Sequence, residues 1–296
     1  MLDPTRLRLL RDLAEYGTMT AVAEVTGMTS SAVSQHLARL EREAGVRLFH
    51  RAGRRVELTA EGHRLVGHAH TVLNALDAAE KDLREADTPR GPVHVAGFAT
   101  AAARYLLPAV LAARAEHPEL DVVIHELEPS DAVAALRAGR ADLAITYSYS
   151  LLAAAPPAGL TAHRLTREPF LVALPGDHPA ARCEAVDLGR LAAEPWIVGS
   201  RGTGDHRLIE RAAALSGFQP ETGHSADDYR LILQMVRHGL GVALVPEGGA
   251  ADPPPDVRLR PVAGLRLTRD IDVLTRYPTP GVRAVLDALQ REARYS

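Results

Sequence analysis

Apolar residues recur at helical spacing through residues 7–40, and turn residues divide them into short helices. A turn at Gly27 separates two of these predicted helices, and Thr29 is placed to cap the second one. The second helix carries its buried stripe at Val33, Leu37 and Leu40. Residues 47–58 follow as two short predicted strands, so the order is helix, turn, helix and hairpin. This order predicts a winged helix-turn-helix, a unit that places one helix in the DNA major groove.

A longer helical pattern runs from Thr59, which is placed as its cap, to residue 86. Its apolar residues recur in alternating steps of four and three: Leu65, Ala69, Val72, Leu76, Ala79 and Leu83. This spacing is typical of a coiled-coil seam, and it also fits a helix packed only on its own domain. We favour a dimer seam, because the helix is longer than a compact N-terminal domain of about sixty residues could cover. A Pro/Gly hinge at residues 88–92 ends the helix.

Strand and helix patterns alternate over the rest of the chain, which predicts an α/β fold with largely parallel sheets. Strands are predicted at residues 93–99, 121–127, 141–147, 170–175, 195–200, 241–246 and 270–275. Helices are predicted near residues 104–115, 131–138, 205–215 and 228–238 and after Gly281. The fold class is therefore α/β, preceded by an all-α winged helix-turn-helix and a long linker helix.

The charge distribution places any contact with nucleic acid at the N-terminus. The 296-residue chain has a formal net charge of −3, yet residues 1–65 hold ten arginines against eight acidic residues. No apolar run approaches the ~18 residues of a membrane span. Arginines interrupt the N-terminal leucines where a signal peptide would be apolar. We expect a cytoplasmic protein without membrane contact, in which the single Cys183 is reduced.

The run Ser-Ala-Val-Ser-Gln-His-Leu-x-x-Leu-Glu at residues 31–41 resembles the N-terminal signature of LysR-type transcriptional regulators. The resemblance continues at Gly45, Leu48-Phe49, Arg51, Arg54-Arg55 and Leu58-Thr59. Further motifs resemble the effector domain of the same family: Leu106-Leu107-Pro108, Gly139-x-x-Asp142-Leu143-Ala144-Ile145, Leu174-Pro175-x-x-His178-Pro179, Pro195-Trp196-Ile197 and Val236-x-x-Gly239-x-Gly241-x-Ala243-x-x-Pro246. Ser31 and Gln35 depart from the family, which often has Pro and Arg there, and so favour a different operator sequence.

This resemblance implies how the domains are arranged. Residues 1–58 would form the DNA-binding domain, and residues 59–90 the linker helix and hinge. Residues 91–296 would form a two-lobed α/β effector-binding domain similar to type 2 periplasmic binding proteins. Lobe one would comprise about residues 91–162 and 267–296, and lobe two about residues 163–266, with a ligand cleft between them. The implied partners are double-stranded operator DNA, a small-molecule effector, and further copies of the chain in a homodimer or homotetramer.

DNA-contacting residues are predicted on the second helix of the helix-turn-helix and on the hairpin. Gln35 can reach an adenine edge in bidentate fashion, and the serines can bond to base edges or phosphates. The hairpin arginines suit phosphates or a narrow minor groove. The full set is Thr29, Ser30, Ser31, Ser34, Gln35, Arg39, Arg51, Arg54 and Arg55. The alternative is a polar helix face and a solvated hairpin that do not contact DNA.

Hydroxyl side chains near strand ends and helix starts are candidates for the effector site: Thr100, Ser130, Thr146, Ser200 and Thr203. Open α/β sheets bind ligands at such positions, and hydroxyls with free helix N–H groups would suit a ligand that carries a carboxylate. The resemblance implies the same for Thr100 and Ser200, whose matching positions in the family commonly line the effector site. Ordinary caps and turns are the alternative, above all for Ser130.

Catalysis, cofactors and metals are not expected. The Gly-rich residues 199–204 lack the Gly-Lys-Ser/Thr ending of a nucleotide-binding loop, and the chain has no Gly-x-Ser-x-Gly. His68 and His70 lie two residues apart on the linker helix, so they point to different faces and not to one metal ion. The sequence therefore predicts a DNA-binding transcriptional regulator that binds its operator as an oligomer and responds to a small molecule. A ligand-independent DNA-binding protein is the alternative function.

Overall fold

The computed structural model of the protein describes residues 2–52, 55–84, 88–152 and 157–295. Its N-terminal part contains α1 (Pro4–Tyr16), α2 (Met19–Thr26), α3 (Ser30–Ala44) and the wing, a hairpin of β1 (Phe49–Ala52) and β2 (Arg55–Leu58). The side chains of Asp3, Thr18 and Thr29 accept backbone N–H groups and cap the three helices. Each helix ends at a glycine with positive φ, a conformation in which other residues suffer a Cβ clash. The predicted winged helix-turn-helix is confirmed.

The core of this domain is built from the apolar stripes of its helices. The stripe predicted for α3 is buried: Val33, Leu37 and Leu40. α4 (Ala60–Arg84) completes the core through Ala69 and Leu73, both 0% exposed, and Leu65 packs against the same cluster. The prediction that Ala69 belongs to a dimer seam is wrong, because its side chain is enclosed within its own domain.

Further along α4, the apolar side chains of the predicted seam are exposed to solvent in the single chain. Val72 is 42% exposed and Leu76 is 38% exposed. Ala79 is exposed as well, whereas the side chain of Leu83 lies outside the described part. The open residues form a surface that a second copy of the helix could cover.

The C-terminal part alternates strands with helices. Its first half contains β3 (Gly91–Gly97), α5 (Ala99–Ala101), a π-helical turn (Ala102–Leu106), α6 (Leu107–Glu116), β4 (Leu120–Glu126), α7 (Pro129–Ala138) and β5 (Leu143–Tyr149). The long strand β6 (Thr161–Pro175) leads to β7 (Pro195–Val198), α8 (Gly204–Leu215), β8 (Glu221–Ser225), α9 (Tyr229–Arg237), β9 (Ala243–Pro246) and β10 (Val257–Pro261). β11 (Thr268–Thr275) and α10 (Pro280–Tyr295) come last. The patterns did not predict β8, β10 or the first part of β6.

One mixed sheet has the strand order β10-β6-β11-β5-β3-β4, with β9 also paired to β6. β3 is parallel to β4 and β5, whereas β11 is antiparallel to β5 and β6, and β6 is antiparallel to β9 and β10. β7 and β8 form a separate parallel pair. The expectation of largely parallel sheets is therefore wrong around β6. The reason is that β6 carries the chain out of the first half and β11 brings it back.

Separate hydrophobic cores mark two lobes. Lobe one (β3 to β5, the first part of β6, β11 and α5 to α7 with α10) encloses a cluster around Val95 and Ile145. Lobe two (the rest of β6, β7 to β10, α8 and α9) encloses a cluster around Trp196. The predicted fold class, a winged helix-turn-helix with a linker helix and a two-lobed α/β domain, is confirmed. In the ranges that the structure describes, no helix combines the length and apolar character needed to cross a membrane.

The N-terminal and C-terminal parts meet where α4 lies against α7. Arg276, directly after β11, donates from Nη1 to the backbone oxygen of Arg137 near the end of α7 (3.0 Å). Its Nη2 lies 3.5 Å from the backbone oxygen of Thr71 in α4. Arg276 thus places the end of β11 beside the linker helix.

Gly62 marks a close approach of α4 to the wing that can be tested. A Cβ atom at this position would lie 2.3 Å from the backbone oxygen of Leu48, closer than real Cβ atoms come. Gly62→Ala should therefore force α4 away and lower the free energy of unfolding by about 1–3 kcal/mol. Gly67→Ala on the same helix meets nothing within 4 Å and should raise that free energy by up to about 1 kcal/mol through helix propensity. Urea denaturation followed by circular dichroism measures both, and equal stability of the two variants would contradict this packing.

Candidate functional sites

α3 presents one polar face to solvent. The residues predicted there to contact DNA are all exposed: Ser30, Ser31, Ser34, Gln35 and Arg39. Thr29 is exposed as well, and its Oγ1 accepts the backbone N–H of Ala32 (3.2 Å) as the cap of the helix. The structure therefore brings the helical part of the predicted set together, opposite the buried stripe, and gives Thr29 a structural role in addition.

Two carboxylates of α3 fix that face relative to the rest of the domain. Glu43 accepts two hydrogen bonds from the buried guanidinium of Arg6 in α1, at 3.1 Å from Nε and 2.9 Å from Nη2. Glu41 Oε1 accepts the backbone N–H groups of Leu48 (2.8 Å) and Phe49 (3.2 Å) at the start of the wing. Arg6 therefore orients α3 and does not add to a DNA-facing surface.

The wing is an antiparallel hairpin in which Ala52 lies opposite Arg55. Among the arginines predicted to bind phosphates, Arg51 lies in β1 and Arg55 in β2. Arg54 lies outside the described residues. Since Glu41 ties the start of the wing to α3, the hairpin and the exposed helix face form one unit.

Three of the predicted effector residues lie beside the strands that join the lobes or at the start of α8 in lobe two. Thr100 is in α5 of lobe one, and its Oγ1 accepts a hydrogen bond from Arg269 Nη2 (3.1 Å). Ser200 follows β7 in lobe two, and its backbone N and its Oγ both donate to Asp227 (2.8 and 2.6 Å). Thr203 caps α8 and donates from Oγ1 to the backbone oxygen of Ser200 (2.7 Å). We call the surroundings of these residues the interlobe site.

The two other predicted effector residues have different surroundings. Ser130 is exposed in the first turn of α7. Thr146 lies in the middle of β5, and its Oγ1 is 3.5 Å from the backbone oxygen of Asp272 in β11. The prediction that Thr146 ends a strand is wrong, because β5 continues to Tyr149.

A buried ion pair lies beside Thr100 in the interlobe site. Arg269 donates from Nε to Glu168 Oε1 at 2.5 Å, and their side chains are 2% and 3% exposed. The guanidinium of Arg269 lies over the rings of Phe98 (5.0 Å) and Tyr147 (5.4 Å), which adds cation–π attraction to the ion pair. Glu168 Oε2 accepts the backbone N–H of Gly248 (2.7 Å) in lobe two.

Asp205, in the first turn of α8, accepts hydrogen bonds from two tyrosine hydroxyls. Its Oδ1 accepts a short hydrogen bond from Tyr149 of β5, and its Oδ2 accepts one from Tyr229 (2.6 Å). Tyr147 of β5 donates to Glu128 Oε2 (3.2 Å). Burial, together with the charge of Asp205, raises the pKa of Tyr149 and of Tyr229, so both hydroxyls keep their protons and remain donors.

Carboxylates set the charge of the interlobe site. Partial burial raises the pKa of Glu128, whose side chain still reaches the surface, and the charges of Asp205 and Asp227 raise it further, against the hydrogen bond from Tyr147. At α9, the cap Asp228 already accepts the first backbone N–H groups. In the described ranges, no three His, Cys, Asp or Glu side chains are grouped so that they could hold a metal ion.

Two family models match the chain. Residues 4–63 match the bacterial regulatory helix-turn-helix protein of the lysR family, and residues 86–294 match the LysR substrate binding domain. The chain is 28% identical to the transcriptional dual regulator GltC of Bacillus subtilis, over 91% of this chain and 89% of that protein. It is 32% identical to a probable nitrogen assimilation transcriptional activator of Synechococcus elongatus, over 88% and 85%. The chain belongs to the LysR family of transcriptional regulators.

Solved structures share the whole architecture of this LysR regulator. Full-length OxyR from Pseudomonas aeruginosa has a TM-score of 0.75 at 23% identity, covering 99% of this chain and 95% of that chain. Full-length CbnR in complex with its target DNA has a TM-score of 0.62 at 22% identity, covering 98% and 100%. These likenesses concern the fold: the winged helix-turn-helix, the linker helix and the two-lobed domain occur in the same order.

The sequence did not reveal the side chains that join the lobes of the regulator. Glu168 and Arg269 are 101 positions apart, and no local spacing connects them. Tyr147 ends the strand predicted at residues 141–147, whereas Tyr149 lies beyond it, and only the longer β5 places both tyrosines on one face. Asp205 left no signal of its own, since an acidic residue in a first helical turn is common in any helix.

The raised pKa of Glu128 predicts a pH effect on the LysR regulator. A carboxyl group with a folded pKa above its unfolded value stabilises the folded state while it is protonated. That contribution to stability is lost as the pH rises through the folded pKa. Glu128→Gln has no ionisable group at this position, so its stability does not change for this reason. The melting temperature of the variant relative to the parent should therefore increase as the pH is raised above 4.5, the ordinary pKa of the group.

Scanning calorimetry across this pH range measures the effect of Glu128→Gln. Glu126→Gln removes an exposed carboxylate at the end of β4 and controls for the simple loss of a negative charge. A difference between Glu128→Gln and the parent that stays constant with pH would show that Glu128 is not perturbed.

Proposed function

We propose that this regulator binds double-stranded operator DNA as an oligomer and that a small molecule in the interlobe site changes this binding. The observation that carries the proposal is the exposed polar face of α3. Behind it lie a fully buried apolar stripe and the hydrogen bonds of Glu41 and Glu43. A helix that is free on its polar face and rigidly packed on the other is what recognition in the major groove requires.

On DNA, α3 enters the major groove and the wing follows the backbone beside it. Gln35 offers an amide that both donates to and accepts from an adenine edge. Arg39 remains exposed, although it also contacts Glu43 at 3.4 Å, and can reach a phosphate. The other contacts are polar or charged and position the protein on the duplex: Thr29, Ser30, Ser31, Ser34, Arg51, Arg54 and Arg55.

The open strip on α4 supports the oligomer. Val72 and Leu76 are large apolar side chains that the single chain leaves exposed. A second α4 laid along them would remove this surface from water, which is the driving force of most protein association. Two recognition helices joined in this way would contact two half-sites of a partly palindromic operator. Either a homodimer or a homotetramer satisfies this geometry.

The interlobe site supports the response to a small molecule. Thr100 belongs to lobe one and Ser200 to lobe two, so a ligand that touches both hydroxyls senses how the lobes are arranged. Such a ligand favours one arrangement only through its differential affinity for it. A thermal-shift screen of metabolites separates this function from ligand-independent DNA binding. An effector at 100 times its Kd should add about 2.7 kcal/mol of stability, and no shift with any metabolite would favour the alternative.

Substitutions in α3 and in the wing should impair DNA binding in different ways. Gln35→Ala should lose preference at one operator position, by about 1–3 kcal/mol, and leave binding to unrelated DNA unchanged. Arg54→Gln/Arg55→Gln should weaken binding to every sequence and flatten its salt dependence, because fewer counterions are released. Quantitative footprinting at several salt concentrations measures both. An unchanged salt slope in the wing variant, or an unchanged base preference in Gln35→Ala, would refute the corresponding contact.

Ser200→Ala should lower the affinity for an identified effector and leave DNA affinity without effector nearly intact, because its hydroxyl lies in lobe two, away from α3 and the wing. Thr100→Ala should lower the effector affinity as well, and it also removes a partner of the buried Arg269. Thr222→Ala removes an exposed hydroxyl from β8 of lobe two and is the matched control. Titration calorimetry gives the affinities. If the parent and both site variants bind the effector equally well, the two hydroxyls do not belong to the site.

A further inference from the structure

Strands β6 and β11 carry ion pairs on both faces of their shared ladder. Glu168 stands opposite Arg269 in the strand register, and Arg167 stands opposite Asp270 at the next position. Successive residues of a strand point to opposite faces, so the two pairs lie on different sides of the sheet. The pair of Arg167 and Asp270 is open to solvent, whereas the pair of Glu168 and Arg269 is enclosed.

The enclosed pair reaches into both lobes. Arg269 attaches to lobe one, where its Nη2 donates to Thr100 Oγ1 (3.1 Å) and its guanidinium lies over two aromatic rings. Glu168 attaches to lobe two, where its Oε2 accepts the backbone N–H of Gly248 (2.7 Å). The bond between Arg269 Nε and Glu168 Oε1 (2.5 Å) closes the chain of contacts from one lobe to the other.

Gly248 shows how closely lobe two must approach. A Cβ atom at this position would lie 2.7 Å from Glu168 Oε2, so a side chain there would push the carboxylate away. The glycine lies in the short turn Glu247–Ala250 that follows β9. The contact between Glu168 and lobe two therefore depends on the backbone of this turn coming directly against the carboxylate.

We propose that Glu168 and Arg269 are positioning residues that set the angle between the two lobes. Both charges are enclosed, so each needs all its hydrogen-bond partners. A rotation of the lobes that moved Gly248 away would leave Glu168 without one of its hydrogen-bond donors. A rotation that moved Thr100 away would leave Arg269 without one of its acceptors. The lobes are therefore held at one separation while the pair is intact. A ligand in the interlobe site that hydrogen-bonds to Thr100 would compete with Arg269 for this hydroxyl and so weaken one contact of the ion pair. This last step rests on the proposed function.

The test measures the distance between the lobes in the full chain, without ligand or DNA. Spin labels are attached at Arg114→Cys in α6 and Arg211→Cys in α8, both exposed positions, in a Cys183→Ala background. The labelled protein is diluted with unlabelled chain, so that distances between copies do not contribute. Double electron–electron resonance then compares the parent with Glu168→Gln and Asp270→Asn. Asp270→Asn is the matched control, because it neutralises a carboxylate on the same strand pair but on the open face.

We expect one narrow distance for the parent and for Asp270→Asn. For Glu168→Gln we expect a distribution that is broader, or displaced by more than about 2 Å. The double variant Glu168→Gln/Arg269→Gln separates position from stability. Removing both charges should return the melting temperature toward that of the parent, since no buried charge is left unpaired, while the distribution stays broad.

Two results would overturn the proposal. One is a narrow, parent-like distance distribution in Glu168→Gln or in the double variant. If Glu168→Gln does not fold, the distribution of the double variant alone is the test. The other is a broadening in Asp270→Asn as large as in Glu168→Gln, which would indicate a general effect on strand pairing. Since neither DNA nor ligand is present, either result leaves the proposed function to its own experiments.

Discussion

The C-terminal domain depends on the antiparallel pairing of β6 with β11. The first part of β6 pairs with the whole of β11, and the same strand then continues into lobe two, where it pairs with β9 and β10. The two strands thus carry the chain from one hydrophobic core to the other and back. Glu168 and Arg269 lie at the end of their shared ladder, between the two cores. A charged pair fits there because each lobe supplies polar partners at this point.

β11 also connects the interlobe site with the linker helix. Its first residues hold Arg269 in the interlobe site, and Arg276 directly after its last residue contacts α7 and the linker helix α4. The strand pairs along its length with β5 and β6, so it moves only together with the sheet. The interlobe site and the contact with the linker helix therefore lie at opposite ends of one strand.

The sequence patterns predicted the elements that interactions between neighbouring residues determine. Caps, turn glycines and the apolar stripe were sufficient for the winged helix-turn-helix, and the exposed face of α3 follows from the same periodicity. The heptad spacing of α4 was ambiguous, because spacing alone does not show what covers a face, and Ala69 is covered by its own domain. Strand direction around β6 and the pairing of Glu168 with Arg269 depend on contacts between distant parts of the chain. Tyr147 and Tyr149 share one face only because β5 runs two residues beyond the strand that was predicted at residues 141–147.

Recognition of DNA by the full chain is tested most directly by selection from a pool of random double-stranded sequences, which requires no known operator. If α3 enters the major groove in two copies joined through α4, the selected sequences should contain two inverted half-sites. Their centres should lie about one helical turn, 34–36 Å, or a multiple of it apart. A selected pool that does not differ from the starting pool, or that contains only isolated half-sites, would contradict the roles assigned to α3 and α4.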